Sequence, residues 1–160
     1  MYVFQDKKGR DVCLIPEVTA VVQQLFRDSW SKSLPKPVRL FYVAKCYRYE
    51  RPQKGRYREF TQFGIECMGG KPPEDREEVS ELLRQCLGSQ VEFQWDDSVK
   101  RGLDYYVEDG FEARCGELGA QQQVAGGGRY AEGIGWALGV DRLLLARRIQ
   151  SDRLRDDGAD

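Results

Sequence analysis

Residues 38–68, VRLFYVAKCYRYERPQKGRYREFTQFGIECM, decide the fold. β-branched and aromatic residues dominate Val38 to Glu50 and again Arg58 to Met68, and the RPQKGRY between them has turn composition. The stretch therefore reads as one long antiparallel hairpin. Period-two alternation puts Cys46, Arg48 and Glu50 on one face of the first strand, and Phe60, Gln62, Gly64 and Glu66 on one face of the second. The tip is basic: Lys45, Arg48, Arg51, Lys54, Arg56 and Arg58 fall within residues 45–58, against Glu50 alone. Such a cluster calls for an anion. On one pleated face an arginine can grip phosphate bidentately, a phenylalanine can stack on a base and carboxylates can receive an ammonium. From spacing alone, a solvated charged hairpin is the competing account.

Working outward, Tyr2–Phe4 and Val12–Ile15 flank the turn-like DKKGRD and read as a short hairpin. Pro16 suits a helix start, and Val18, Val21, Val22, Leu25 and Phe26 recur at helical spacing from Glu17 to about Trp30. Downstream, PEDREEVSELLRQCL predicts an amphipathic helix whose acidic first turn complements the helix dipole. Strands are predicted at Val91–Trp95, Leu103–Val107, Phe111–Cys115 and Gln121–Ala125, the middle two joined at Asp109-Gly110. The run Gly126–Gly128 reads as a turn or as a close approach of backbone to ligand. Gly133 to about Ile149 reads as a largely buried helix, and residues 150–160 as a frayed polar tail. Hairpins without regular intervening helices favour an α+β fold, an antiparallel β-sheet with flanking helices, in one domain over residues 1–149.

The 160 residues are 41% hydrophobic and 11% aromatic, enough for one packed core. With 25 basic and 26 acidic residues, overall charge predicts neither a nucleic-acid-binding nor a membrane-seeking protein. Histidine is absent and the five cysteines form no CxxC pair, which argues against a zinc site or a histidine-based triad and for reduced thiols. Magnesium held by carboxylates and phosphates stays open. The amino terminus shows no secretory pattern and no stretch approaches the roughly 18 apolar residues of a membrane span, so the expectation is a cytoplasmic protein.

The stretch FYVAKCYRYERPQKGRYREFTQFGIECMG closely resembles motif 2 of class II aminoacyl-tRNA synthetases, specifically the histidyl branch. In chain order, PEVTA resembles that family's PEGTA substrate loop, KRGLDYYVEDGFE its histidine-signature segment, and VAGGGRY with GIGWALGVDRLLL its second signature and motif 3. The resemblance implies a class II synthetase-like core and ATP-dependent activation of histidine. Carried over residue by residue, it puts Arg48 and Arg101 at the ATP α-phosphate, Arg142 at the γ-phosphate, Glu50 near the adenine and Phe60 stacked on it. Glu17, Thr19, Gln62 and Glu66 would meet the amino acid's amino and carboxylate groups, with Tyr106, Tyr130 and Gly127 around its imidazole. Tyr105 is left to the core. Lys54 and Arg56 would contact the tRNA acceptor stem or another phosphate. Magnesium is expected with ATP, and the chain itself is expected to supply no metal site. The amino acid's carboxylate is the nucleophile, so positioning and fixed positive charge suffice without a general base.

Relative to the family, motif 1 and an anticodon-binding domain have no counterpart, and the insertion after motif 2 shrinks to Gly70–Lys100. Oligomeric state is thus left open, and a separate chain supplying the missing domains is one expected partner. Val18 stands at the family's usual glycine, where its bulk is expected to narrow the substrate loop, and Ala131 stands at its usual aspartate. Two other readings accompany the enzyme: a histidine-binding regulatory paralogue acting with a phosphoribosyltransferase, and an inactive fragment.

Overall fold

The computed structural model describes residues 1–100, 102–108 and 110–156, with side chains as far as Asp152. Strands β1 (Val3–Gln5) and β2 (Asp11–Cys13) pair around Asp6, whose carboxylate accepts the main-chain N–H groups of Lys8 and Arg10. Helix α1 (Thr19–Leu25) continues through a π-helical turn (Phe26–Trp30) into the short α2 (Ser31–Ser33). It starts at Thr19 rather than beside Pro16, with Val18 at the N-cap. Residues 16–18 stay out of the helix, and the carbonyl of Ile15 accepts the N–H of Tyr47 at 2.8 Å.

The hairpin of residues 38–68 forms as β3 (Val38–Tyr47) and β4 (Glu59–Met68), paired in continuous register from Val38↔Met68 to Tyr47↔Glu59. Helix α3 (Glu74–Leu87), strands β5 (Gln94–Val99), β6 (Gly110–Arg114), β7 (Gln123–Tyr130) and β8 (Gly133–Gly139), and helix α4 (Val140–Asp156) follow. The large sheet is antiparallel in the order β3-β4-β8-β7-β6-β5. This is the expected α+β architecture, with helices packed on an antiparallel sheet. Among the described residues, no helix is long and apolar enough to cross a membrane.

The back of the sheet carries the larger core: Val79, Leu83 and Leu87 of α3 and Leu143 and Ala146 of α4 bury Phe111, Ile134, Trp136 and Leu138. Two polar ties hold α3 there. The Trp136 indole donates to the Val79 carbonyl at 2.7 Å, and Arg129 grips Asp75 with two bonds of 2.6 and 3.0 Å. Asp75 is 3% exposed, so the acidic first turn does more than complement a dipole. On the front, α1 packs Val18, Val22 and Phe26 against Cys46, Met68 and Tyr130.

Several sequence expectations are corrected. Gly133–Gly139 is a strand, because its apolar residues, Ile134, Trp136 and Leu138, fall at period two and its glycines face the other side. The run Gly126–Gly128 is strand interior, not a turn. Leu103–Val107 is a turn hooked to β7, through a Tyr106↔Tyr130 bridge and the Val107 N–H on the Arg129 carbonyl, so it pairs with no neighbouring hairpin strand; Asp109 lies outside the described residues. Helix α4 runs past Ile149 to Asp156, since Leu143, Ala146 and Ile149 keep it on the core and the residues beyond are fair helix formers.

Candidate functional site

Antiparallel register fixes what the front of the sheet presents. Directly opposed residues share a face, so Tyr42, Gly64, Ala137, Gly126 and Glu112 form one row, and Ala44, Gln62 and Gly139 another. Leu40, Glu66, Gly135 and Gly128 form a third. Small residues dominate the centre, and a cleft of about 560 Å³ opens above them. A Cβ on Gly135 would stand 1.7 Å from Glu66 Oε2, and one on Gly64 would stand 2.2 Å from the ring of Tyr42. Here glycine is required by space, not by backbone angle.

One end of the cleft is cationic. Arg48 lies with its guanidinium 5.0 Å from the centre of the Phe60 ring and donates from Nε to the Pro16 carbonyl at 3.0 Å. Arg142, at the start of α4, donates to the carbonyls of Gly55 and Gln123 at 2.6 and 2.8 Å. Its pKa is drawn below the usual guanidinium value by burial first and then by the charges of Arg48 and Arg56, with Glu50 opposing. Glu50 is itself paired with Arg56 at 2.6 Å. Arg48, Arg56 and Arg142 thus face a single space in which Glu50 is paired with Arg56, and the net positive balance favours an anion.

The other end carries carboxylate, hydroxyl, amide and phenol groups. Glu17 and Thr19, delivered by the turn into α1, Gln62 from β4, and Tyr105 and Tyr106 line it. Glu66 and Tyr130 lie just beneath. Glu66 is fully buried, and its two oxygens accept Thr19 Oγ1 at 2.7 Å and Tyr130 Oη at 2.8 Å. Burial pushes the Glu66 carboxyl up to about 7, while the bonds from Thr19 and Tyr130 pull it down. Burial also raises the Tyr130 phenol well above its ordinary value, so it stays a donor.

Arg48, Glu50, Phe60 and Arg142 therefore gather at one end, and Glu17, Thr19, Gln62 and Tyr106 at the other, with Glu66 and Tyr130 supporting them. Arg56 reaches the cleft, whereas Lys54 stays at the exposed hairpin tip. Gly127 sits opposite Trp136 on the back, where a Cβ would meet the Gly135 carbonyl at 2.1 Å; Gly126 is the glycine that lines the cleft. Arg101 lies outside the described residues. Val18 does not narrow the substrate loop as expected: its side chain turns into the front core at 8% exposure.

Tyr105, left to the core, packs there and also lines the cleft, and two further residues went unread. Tyr105 donates to Glu17 Oε2 at 3.1 Å from a turn whose composition resembled a strand. Asp141 lines the cationic end and accepts the Thr61 N–H at 2.7 Å; an acidic residue opening a helix was the available signal. Glu112 sits buried in the central row, paired with Arg114, without a local signature. Among the described residues, no group of three or more carboxylates and thiols forms a metal cage. Magnesium would have to be held chiefly by a nucleotide's own phosphates.

The antiparallel sheet, its flanking helices and the cleft across its front are those of an aminoacyl-tRNA synthetase-type core. Residues 2–126 match the model of the tRNA synthetase class II core domain (G, H, P, S and T), and the chain belongs to that family, in its histidyl-tRNA synthetase branch. The histidine-tRNA ligase of Archaeoglobus fulgidus is 31% identical over 257 aligned positions, covering 94% of this chain and 63% of that protein. The histidine-tRNA ligase of Methanocorpusculum labreanum is 51% identical over 92 residues, 55% of this chain and 22% of that protein. A Bacillus halodurans structure described as an ATP phosphoribosyltransferase regulatory subunit/histidyl-tRNA synthetase shares the fold, with a TM-score of 0.74 at 16% identity, over 98% of this chain and 75% of that one. The chain spans about three fifths of the length of the curated relatives it matches over most of its own length.

Proposed function

We propose that this chain activates histidine with ATP, forming histidyl-adenylate and pyrophosphate. The observation that carries the reading is the continuity of the two half-sites: Arg48 and Arg142 face the same cleft as Glu17, Thr19 and Gln62. ATP enters with its α-phosphate near Arg48, its base against Phe60 and Glu50, and its terminal phosphate at Arg142. Histidine's ammonium meets Glu17, Thr19 and Gln62, and its imidazole meets Tyr106, with Glu66 and Tyr130 supporting Thr19 from beneath the cleft. The carboxylate oxygen attacks the α-phosphorus and pyrophosphate leaves. Magnesium bound through the nucleotide's own phosphates would neutralise part of their charge. Arg101 of the signature segment is assigned to the α-phosphate on sequence grounds alone. Transfer to tRNA would use the acceptor stem, with Lys54 and Arg56 at the hairpin tip as phosphate contacts.

The test is pyrophosphate exchange with each amino acid in turn, on the native chain and on Arg142→Ala. Histidine-specific exchange, reduced by about 10²–10³ in the variant, is the expected result. Exchange that is absent, or equal in both proteins, would overturn the reading. A second reading, a histidine-binding regulatory subunit, takes support from the regulatory designation of the B. halodurans protein that shares this fold. It predicts histidine binding in calorimetry with neither ATP binding nor exchange.

A further inference from the structure

Beneath the amino-acid end, four oxygen-bearing side chains form one continuous hydrogen-bonded chain. Thr19 Oγ1 donates to Glu66 Oε1 at 2.7 Å, and Tyr130 Oη donates to Glu66 Oε2 at 2.8 Å. A hydroxyl has one hydrogen. The remaining contact of Thr19 Oγ1, 3.3 Å from Tyr42 Oη, must then have the phenol as its donor while Glu66 is a carboxylate. Tyr42 belongs to β3 and lies behind the cleft instead of lining it. It reaches Thr19 across bare backbone: a Cβ on Gly64 would stand 2.3 Å from its hydroxyl oxygen.

We propose that Tyr42 is a positioning residue for histidine recognition, holding the Thr19 hydroxyl on the buried Glu66 so that Thr19 stays in the geometry in which the amino acid meets it. The assignment rests on the histidine reading above. Desolvation is what makes it matter: in a water-poor interior each donor polarises the next, and a hydroxyl left without its partner swings away. The groups around Glu66 come from several elements. Glu17 approaches from the loop before α1 and opposes ionisation; Thr19 of α1 and Tyr130 of β7 favour it. Tyr42 of β3 acts on Glu66 through Thr19, and Tyr106, from the turn after Gly102, interacts with both buried phenols. Removing the Tyr42 hydroxyl weakens Thr19 as a donor, so the carboxylate becomes harder to keep and its titration moves to higher pH.

Tyr42→Phe keeps the ring and deletes only the hydroxyl, so a residue that merely fills space would tolerate it silently. The experiment uses Tyr42→Phe, Thr19→Val and the double variant, each first shown to melt cooperatively. Carbon-13 NMR follows the Glu66 carboxyl through pH in the free protein. The expected result is a titration midpoint raised in each single variant, with Tyr42→Phe adding nothing once Thr19 is valine. In pyrophosphate exchange near neutral pH, Tyr42→Phe is expected to raise the KM for histidine about three- to tenfold and to leave the KM for ATP unchanged. An unmoved Glu66 midpoint in Tyr42→Phe, or the same added shift in the Thr19→Val background, overturns the relay. Native protein that fails to exchange overturns the activation reading instead, and the NMR titration still decides the relay.

Discussion

Asp141 Oδ2 accepts the main-chain N–H of Thr61 at 2.7 Å, pinning the first turn of α4 to β4 one residue ahead of Arg142. The strand that carries Phe60 and Gln62 and the helix that carries Arg142 are thereby set against each other. Asp141→Ala leaves a strand N–H without its partner. Urea unfolding is expected to show a loss of about 1–3 kcal/mol. Exchange kinetics are expected to show a KM that rises more for ATP than for histidine, and Asp141→Asn, which keeps an acceptor oxygen, is expected to recover most of both.

The Arg129–Asp75 pair, with side chains 12% and 2% exposed, is a buried polar tie between α3 and the sheet. Asp75→Ala removes both hydrogen bonds from a buried guanidinium, leaves it only the 3.6 Å pairing with the exposed Glu108, and is expected to lower stability by up to about 3–5 kcal/mol. Replacing both partners by apolar residues of similar volume should cost far less. Denaturant titration of the single and double variants checks both statements.

Glu66 is expected to leave a pH signature in stability. Its folded value of about 7 stands above the ordinary glutamate value of 4.5, so the folded state holds the extra proton between those limits. Its contribution is therefore intact below about pH 4.5 and is lost as pH rises through 7, with an upper bound on the order of 3 kcal/mol. Glu66→Gln should flatten that decline, leaving the variant more stable than the native protein at pH 8 and similar to it near pH 4. Thermal melts across this range provide the comparison.

Val18→Gly restores the residue usual in the family but removes a side chain buried among Val22, Phe26 and Cys46. Because the side chain points into the core, the change should cost about 1–3 kcal/mol through lost burial and added chain freedom. Preference for histidine among the amino acids, measured by exchange, should stay the same.

The hairpin of residues 38–68 was readable because its two strands are long and continuous, and period two alone put Gln62 and Glu66 on one face. The reading slipped where two periods compete. Ile134, Trp136 and Leu138 belong to a strand and Leu143 and Ala146 to a helix, yet the joined segment reads as a single apolar run. Gly126–Gly128 looked like a turn because a strand seldom spends three successive positions on glycine; here Gly135 and Trp136 already fill the space a side chain would take at Gly127, and Tyr106 the space at Gly128. The arginines of the site and its carboxylates Glu17, Glu50 and Glu66 were legible from motif resemblance. Tyr42, Tyr105 and Asp141 were not, since each acts through a bond to a residue 23 to 88 positions away, and no local pattern records such a distance.

The glycine-paved floor also limits how this site can diverge. Its depth is set by main chain, and a methyl group at position 64 or 135 would run into Tyr42 or Glu66 before it touched a ligand. Descendants seeking a different amino acid have little room to reshape the pocket from below. Innovation is steered to the rim, to the loop bearing Glu17 and the turn bearing Tyr106, where side chains can be exchanged without rebuilding the sheet.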